Sequence, residues 1–124
     1  MKKILSLVLS VTCLFLLSAC SNVHCVKQQH GYAYSLNQLW WTYRTELPRE
    51  SQGETCLYYE ATLTEGEINV YYDSGLLWDK ELLFTIKAGE TIKAQGGYVE
   101  SEVDIIIEAI SPASGSIYIA YANS

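Results

Sequence analysis

The sequence contains few of the residues from which enzymes build active sites. Only two of its 124 residues are histidines, and both fall in residues 20–34, a stretch without helical or strand periodicity that we expect to be a tether. A histidine base must be held rigidly beside its nucleophile, which a flexible tether cannot do. The remaining sequence contains no Gly-x-Ser-x-Gly motif and no Cys–His arrangement. We therefore predict no catalytic residues and no cofactor.

Metal-ligating patterns are also weak. The two histidines and Cys25 match no usual zinc spacing. Glu100, Glu102 and Asp104 recur at every second position, so a strand would align them on one face, where clustered carboxylates are calcium candidates. The alternative is a charged strand edge that prevents association between sheets. We favour the charged edge, because calcium needs about six to eight oxygen ligands, supplied by several loops.

Basic residues are scarce, with eight against 14 acidic ones. Two of the eight, Lys2 and Lys3, stand at the start of the chain. Removal of residues 1–19 would leave six basic and 14 acidic residues, a formal charge of −8. Such a domain repels phosphate backbones and anionic headgroups, so we expect no nucleic-acid partner and no tight contact of the domain itself with the bilayer.

Long apolar runs are missing apart from Ile4–Leu17. That run is shorter than the roughly 18 to 20 residues of a membrane-spanning helix. It follows a basic start and precedes small residues, which is typical of a secretory signal peptide. We therefore predict that residues 1–19 are a signal peptide.

The end of this segment, Leu17-Ser18-Ala19-Cys20, resembles the lipobox of bacterial lipoprotein precursors. The resemblance covers residues 1–20. It implies cleavage before Cys20, a diacylglyceryl (palmitate-type) lipid on its thiol, and a protein anchored to the cell membrane outside the cytoplasm. Ser21 is not the aspartate of an inner-membrane retention signal, so in a bacterium with two membranes we expect the protein in the outer membrane.

Two cysteines, Cys25 and Cys56, would remain in the mature chain besides the lipidated one. Outside the cytoplasm, a disulfide between them is one option. It would close a loop of roughly 30 residues and contribute about 3 kcal/mol. The other option is two free thiols, and we slightly favour the disulfide.

From about residue 36, apolar residues alternate with polar ones, which predicts half-buried strands. Proline- and glycine-containing breaks separate the strands, and a hairpin turn is expected at Asp73-Ser74-Gly75. The predicted strands lie in 39–47, 57–64, 67–72, 76–86, 103–110 and 117–121, with turns or loops at 48–54, 65–66, 88–90, 96–97 and 111–116. We predict one all-β domain over residues 35–124, an antiparallel β-sandwich or jelly-roll-like fold of about seven strands.

Residues 60–121 carry Gly-x-Ile-x-Val, which here is Gly66-Glu67-Ile68-Asn69-Val70, followed by a glycine turn and a Ser-Gly hairpin. This pattern loosely resembles small β-sandwich domains of bacterial surface lipoproteins. The resemblance implies the fold and carries no catalytic motif.

Aromatic residues are abundant, with ten tyrosines and three tryptophans. Alternation assigns five of them to the inward side of their strands, namely Trp41, Tyr43, Tyr59, Tyr72 and Trp78. It assigns Trp40, Tyr58 and Tyr71 to the outward side. Aromatic residues fill β cores well, but outward rings can also stack on sugars or anchor a protein partner. We favour the structural role and keep the three outward residues as binding candidates.

Together, these features favour a lipid-anchored, non-enzymatic binding or structural module of the cell envelope, with a protein or glycan partner. The alternative is a small metal-dependent or carboxylate-based hydrolase of the envelope using Glu100, Glu102 or Asp104. Such an enzyme would need two carboxylates about 5 to 10 Å apart across a cleft.

Overall fold

The computed structural model describes residues 22–28, 30–49, 53–74 and 80–122. The signal peptide and Cys20 predicted from the sequence lie outside these ranges, as does Trp78. The described chain forms seven strands: β1 (Val23–Lys27), β2 (Gly31–Leu39), β3 (Thr42–Leu47), β4 (Thr55–Asp73), β5 (Glu81–Lys87), β6 (Thr91–Val99) and β7 (Val103–Tyr121). All strand pairs are antiparallel. The described part of the chain contains no helix of the length and apolarity needed to cross a membrane.

Two long strands, β4 and β7, pair with each other along most of their length and form the spine of the fold. Their outer edges are divided between shorter strands. The first half of β4 pairs with β6 and the second half with β5, while the first half of β7 pairs with β3 and the second half with β2. We call the first half of β4 and the second half of β7, together with β1, β2 and β6, layer A. The second half of β4 and the first half of β7, together with β3 and β5, are layer B.

Both long strands pass from one layer to the other through a bend at residues 65–67 and 111–115. The register of β4 against β7 shifts three times between Leu63 and Ile68. At the bend the two backbones are in close contact, since a Cβ on Gly66 would lie 2.2 Å from the carbonyl oxygen of Pro112. Gly66 also has a φ of 77°, which disfavours any residue with a side chain. The expected turn at 65–66 and loop at 111–116 are therefore wrong: both are bulged parts of continuous strands.

The inner faces of the two layers form one core. In β4 the buried side chains occupy odd positions up to Leu63 and even positions from Ile68 onward, because the bend inserts an extra residue. Ring contacts cross between layers: Tyr59 of β4 stacks on Phe84 of β5 with centroids 4.6 Å apart. Aromatic and branched aliphatic residues dominate the fully or largely buried positions, including Tyr34, Leu47, Leu57, Leu63, Ile68, Ile86, Ile105, Ile107, Ile117, Ile119 and Tyr121.

Tyr121 shows how far the long strands fold back. Its hydroxyl, at the end of β7, accepts a hydrogen bond from the amide of Val103 at the start of the same strand, 3.0 Å away. The same hydroxyl donates to the carbonyl of Leu47 in β3. The two ends of β7 therefore meet across the core, and the layers face each other as a sandwich. The prediction of an all-β, antiparallel β-sandwich with about seven strands is confirmed.

The expected tether over residues 20–34 needs correction in its described part. Val23–Lys27 is strand β1, and β2 begins at Gly31 rather than near residue 36. Tyr34 is 1% exposed and belongs to the core. β1 shows no alternation of apolar and polar residues in the sequence, because it is an edge strand with mostly exposed side chains. The folded domain therefore includes residues 22–28 and 30–34, in addition to the expected range from residue 35.

The disulfide favoured from the sequence is absent, and Cys25 and Cys56 are both free thiols. Cys25 of β1 pairs with Tyr34, which pairs with Ile117, which in turn pairs with Ala61 of β4. Cys25 and Ala61 therefore lie on one line across the sheet. Three strand spacings of about 4.8 Å separate it from β4, and Cys56 lies five residues further along, roughly 16 Å at 3.3 Å per residue. A disulfide requires Cα atoms within about 7 Å, so this register does not permit the bond.

The remaining differences concern strand limits. The expected strand 39–47 is divided at Trp40 and Trp41 into the end of β2 and β3, and the strand expected over 76–86 is described from Glu81. The expected break at Gly96-Gly97 lies inside β6, where Gly97 has a φ of 70°. It coincides with a register shift against β4, so glycine marks a bulge rather than a strand end.

Candidate functional site

The outer face of layer A carries three tyrosines on three neighbouring strands: Tyr58 on β4, Tyr98 on β6 and Tyr118 on β7. They point outward because their neighbours Leu57, Tyr59, Val99, Ile117 and Ile119 are buried and successive side chains of a strand point to opposite faces. We call this surface the tyrosine face.

The strand register aligns the tyrosine face in two rows. One row runs Ala33, Tyr118, Glu60 and Lys93 across β2, β7, β4 and β6. The row beside it runs Gly31, Ala120, Tyr58 and Gln95 across the same strands. Small residues thus occupy the β2 side of the face, and larger side chains rise from β4 and β6.

This difference in side-chain size produces two shallow, open depressions that share Tyr118 as a wall. One extends toward Ala33, Glu60 and Lys93, and the other toward His30, Tyr58 and Gln95. Each has a volume of about 440 Å³, which lies in the range of small-molecule sites. Being adjacent and open, they suit an extended ligand lying across the strands better than an enclosed one.

The tyrosine rings are available for contact. The rings of Tyr58 and Tyr118 meet edge to face, with centroids 6.1 Å apart and an interplanar angle of 66°. This arrangement is a favourable one for aromatic pairs. Tyr98 is 73% exposed, so its ring adds apolar surface at the edge of the face.

A polar network lies beside the rings. The Tyr58 hydroxyl donates a hydrogen bond to Oε1 of Glu60, and Nζ of Lys93 lies 3.2 Å from the same oxygen. The hydrogen bond from Tyr58, followed by that from Lys93, lowers the pKa of Glu60. Hydrogen bonding to Glu60 raises the pKa values of Tyr58 and Lys93. At neutral pH the face therefore presents a carboxylate, an ammonium and a neutral phenol.

The second depression adds further polar side chains. Gln95 accepts a 3.6 Å hydrogen bond from the thiol of Cys56 through its side-chain oxygen. His30 lines the same depression and is exposed. The tyrosine face thus combines apolar ring surface with hydrogen-bond donors and acceptors, which suits a polar ligand that has apolar faces.

The same residues do not form a carboxylate pair for hydrolysis. Among the described residues lining the two depressions, Glu60 is the single acidic side chain. A glycosidase needs two carboxyl groups flanking the bond to be cleaved. The described surface therefore fits binding better than hydrolysis.

The three aromatic candidates from the sequence lie in three different places. Tyr58 is on the tyrosine face. Tyr71 points outward as expected but lies on the opposite side of the sandwich, in layer B, where Nζ of Lys80 is 4.3 Å from its ring centroid. Trp40, 68% exposed, follows β2 near the bend. The structure does not bring these three residues together.

The carboxylates considered for calcium do not share a strand face. Glu100 and Glu102 are exposed in the connection between β6 and β7. Asp104 is on β7, where its carboxylate accepts a 2.8 Å hydrogen bond from Nε of Arg44. Across residues 22–28, 30–49, 53–74 and 80–122, no group of three or more His, Cys, Asp or Glu side chains could hold a metal ion. The expectation of one aligned row is therefore wrong.

Tyr98 and Tyr118 were missed from the sequence. Tyr118 could have been found, because the alternation that points Ile117 and Ile119 inward points it outward. Tyr98 follows a pair of glycines that interrupts the pattern. The grouping of both with Tyr58 depends on the register of β4, β6 and β7, which the sequence does not reveal.

No family model and no curated protein matches the chain. Among solved structures, the chain is similar to a mutant of CBM29-2, studied for ligand recognition by family 29 carbohydrate binding modules. The TM-score is 0.48 and the identity 11%, over 81% of this chain and 68% of that one. A second structure, "Carbohydrate binding module family29", gives a TM-score of 0.46 at 12% identity, over 81% and 70%.

A third similar structure is CapF with a tropolone inhibitor, which has a TM-score of 0.36 and 4% identity, over 82% of this chain and 31% of that one.

Proposed function

We propose that this protein is a lipid-anchored, non-catalytic module of the bacterial cell envelope that binds a glycan through the tyrosine face. The observation that supports the glycan is the combination of Tyr58, Tyr98 and Tyr118 with the Glu60–Lys93 pair beside open depressions. Pyranose rings have apolar C–H faces that pack on aromatic rings, and hydroxyl groups that bond to carboxylate, ammonium and amide groups. The tyrosine face offers both kinds of contact.

The charge of the surface indicates which class of glycan it would bind. Glu60 and Lys93 largely neutralise each other, so the face offers no concentrated positive charge for an anionic polymer. We therefore propose a neutral oligosaccharide that lies across the two depressions. A protein partner is the competing occupant, and it would use the same aromatic anchors.

The test is a screen of the purified mature protein against a panel of neutral and acidic oligosaccharides, followed by calorimetric titration of the best ligand. Tyr118→Ala should weaken binding by at least tenfold, because Tyr118 borders both depressions. Tyr71→Ala, which removes a ring from the opposite layer, is the matched control and should leave affinity unchanged. Thermal melts of both variants exclude loss of folding as the cause.

Equal affinity of wild type and Tyr118→Ala would refute the tyrosine face as the site. Absence of binding to every oligosaccharide, together with tight binding to an envelope protein that depends on Tyr118, would replace the glycan by a protein.

The proposed membrane location rests on Cys20, through the lipobox resemblance. Metabolic labelling with an alkyne fatty acid should label the wild type but not Cys20→Ala. Cell fractionation would follow the protein to a membrane, which in a two-membrane bacterium should be the outer one. A Cys20→Ala variant that is still labelled would contradict the anchor.

A further inference from the structure

An exposed apolar surface lies at the bend of the sandwich, away from the tyrosine face. Trp40 is 68% exposed and Ile110 is 54% exposed. Residues 40–41 lie opposite residues 109–112 of β7, because Leu39 pairs with Ala113 and Thr42 pairs with Glu108. The ring of Trp40 meets that of Trp41 edge to face, with centroids 5.1 Å apart. We call Trp40 and Ile110 the Trp40 edge, and the Trp41 ring lies behind Trp40 against the core.

The Trp40 edge is held in place by the chain before it. Gln38 has a φ of 53°, a rare conformation for a residue with a side chain, and hydrogen bonds fix it there. Its amide donates to Oγ of Ser114 at 3.0 Å, and its Nε2 donates to Glu65 at 2.6 Å. Trp41 packs against the core. These contacts hold the segment that carries Trp40 in one conformation, in which the Trp40 side chain is exposed.

Asn22 joins this loop to the start of the described chain. Its Nδ2 donates to the carbonyl oxygens of Asn37 and Gln38 at 2.9 and 2.8 Å. Its own carbonyl accepts from the amide of Asn37 at 2.8 Å. The first described residue is thus bonded to the segment that carries Trp40.

Cys20 is two residues before Asn22 in the sequence. Two residues span at most about 7 Å, so a lipid on Cys20 would emerge beside the Trp40 edge. Because Asn22 is fixed to Asn37 and Gln38, the domain has no long tether that could carry this edge away from the lipid.

We propose that the Trp40 edge rests on the bilayer surface, with the rings of Trp40 and the side chain of Ile110 in the headgroup region. The inference depends on the proposed lipidation of Cys20. Tryptophan suits this position because one end of its ring system is apolar and the indole N–H remains able to bond to water or headgroups. The acidic Glu65 beside Gln38 favours zwitterionic over anionic headgroups and keeps the contact shallow.

This contact would set the orientation of the domain. The strands of layer A run away from the bend, and Tyr58 and Tyr118 lie further along them than the residues at 113–115. The tyrosine face would therefore stand clear of the membrane, open to a glycan from the side.

The test uses the mature, lipidated protein in phosphatidylcholine vesicles, with its lipid confirmed by mass spectrometry. Phosphatidylcholine brominated near the headgroup end of the acyl chains should quench part of the tryptophan fluorescence of the wild type. That quenching should be lost in Trp40→Phe and kept in Trp41→Phe, the matched control. Iodide in the aqueous phase should quench Trp40 less in vesicles than in detergent-free Cys20→Ala protein.

Bromolipid quenching that is equal in wild type and Trp40→Phe, in protein that carries the lipid, would overturn the docking and leave the anchor standing. A mass without lipid on Cys20 would overturn the anchor and the docking with it. Protection of Trp40 from iodide without bromolipid quenching, increasing with protein concentration, would assign the edge to a second copy of the chain instead.

Discussion

Replacing Tyr121 with phenylalanine tests the link that joins the two ends of the sandwich. The substitution keeps the ring and removes a hydroxyl that serves two backbone groups, the amide of Val103 and the carbonyl of Leu47. Leu47 is 0% exposed and Val103 is 2% exposed. Water therefore has little access to either group once the hydroxyl is gone.

An unsatisfied buried backbone group costs about 1 to 3 kcal/mol. Two such groups, with partial relaxation, should lower the free energy of unfolding by about 3 kcal/mol. For a domain of this size, 1 kcal/mol corresponds to about 4 to 8 °C in the melting temperature, so the Tyr121→Phe variant should melt about 12 to 24 °C lower. Tyr98→Phe, which removes an exposed hydroxyl, is the matched control and should melt within about 2 °C of the wild type.

Alkaline pH provides a second measurement on the same residue. Burial raises the pKa of Tyr121 to about 12 from an ordinary value of 10.0. Between those values the unfolded chain releases the proton first, so the stabilisation is complete below pH 10 and is lost as the pH rises toward 12. Urea unfolding as a function of pH should show a shallower alkaline decline for Tyr121→Phe; the remaining decline comes from other tyrosines, chiefly Tyr34, whose pKa is also raised by burial, and Tyr72, whose pKa burial raises to about 12.

A Tyr121→Phe variant that melts with the Tyr98→Phe control would show that the hydroxyl does not link the ends of β7 and that the layers meet differently there.

Three further predictions follow from the bend, the polar network and the thiols. Gly66→Ala should lower the free energy of unfolding by more than about 2 kcal/mol, because it combines left-handed strain with a backbone clash. Gly89→Ala, with a φ of 87° and open space around it, should cost only about 1 kcal/mol in the same urea titration. Since the pKa of Glu60 is lowered from 4.5, glycan affinity should stay constant as the pH falls to 4.5 and decrease only below it; calorimetry showing a loss near pH 6 would contradict this. Cys25 and Cys56 should both react with iodoacetamide in the denatured, unreduced protein, whereas a mass without two added carbamidomethyl groups would contradict free thiols.

The parts of the fold that the sequence predicts are those whose alternation is local. Leu57, Tyr59 and Leu63 alternate with polar neighbours, and this pattern alone is sufficient to identify a half-buried strand. Glu65-Gly66 is locally indistinguishable from a hairpin turn. Whether the chain reverses there or bends and continues is decided by the pairing with β7, some 45 residues away in the sequence, which no local pattern contains.

The candidate site was only partly predictable for the same reason. The outward direction of Tyr58 and Tyr71 follows from alternation, and both do point outward. Their separation onto opposite sides of the sandwich follows from the bend in β4, which lies between them. Glu60 and Lys93 become a pair only through the register of β4 and β6.

Amide chemical-shift mapping tests most directly whether the tyrosine face binds a glycan. The ¹⁵N-labelled protein would be titrated with the oligosaccharide selected by the screen. The largest shifts should cluster at Ala33, Glu60, Lys93 and Tyr118, while amides around Tyr71 on the opposite layer stay unchanged. Shifts centred on Tyr71, or none on the tyrosine face at saturating oligosaccharide, would contradict the claim.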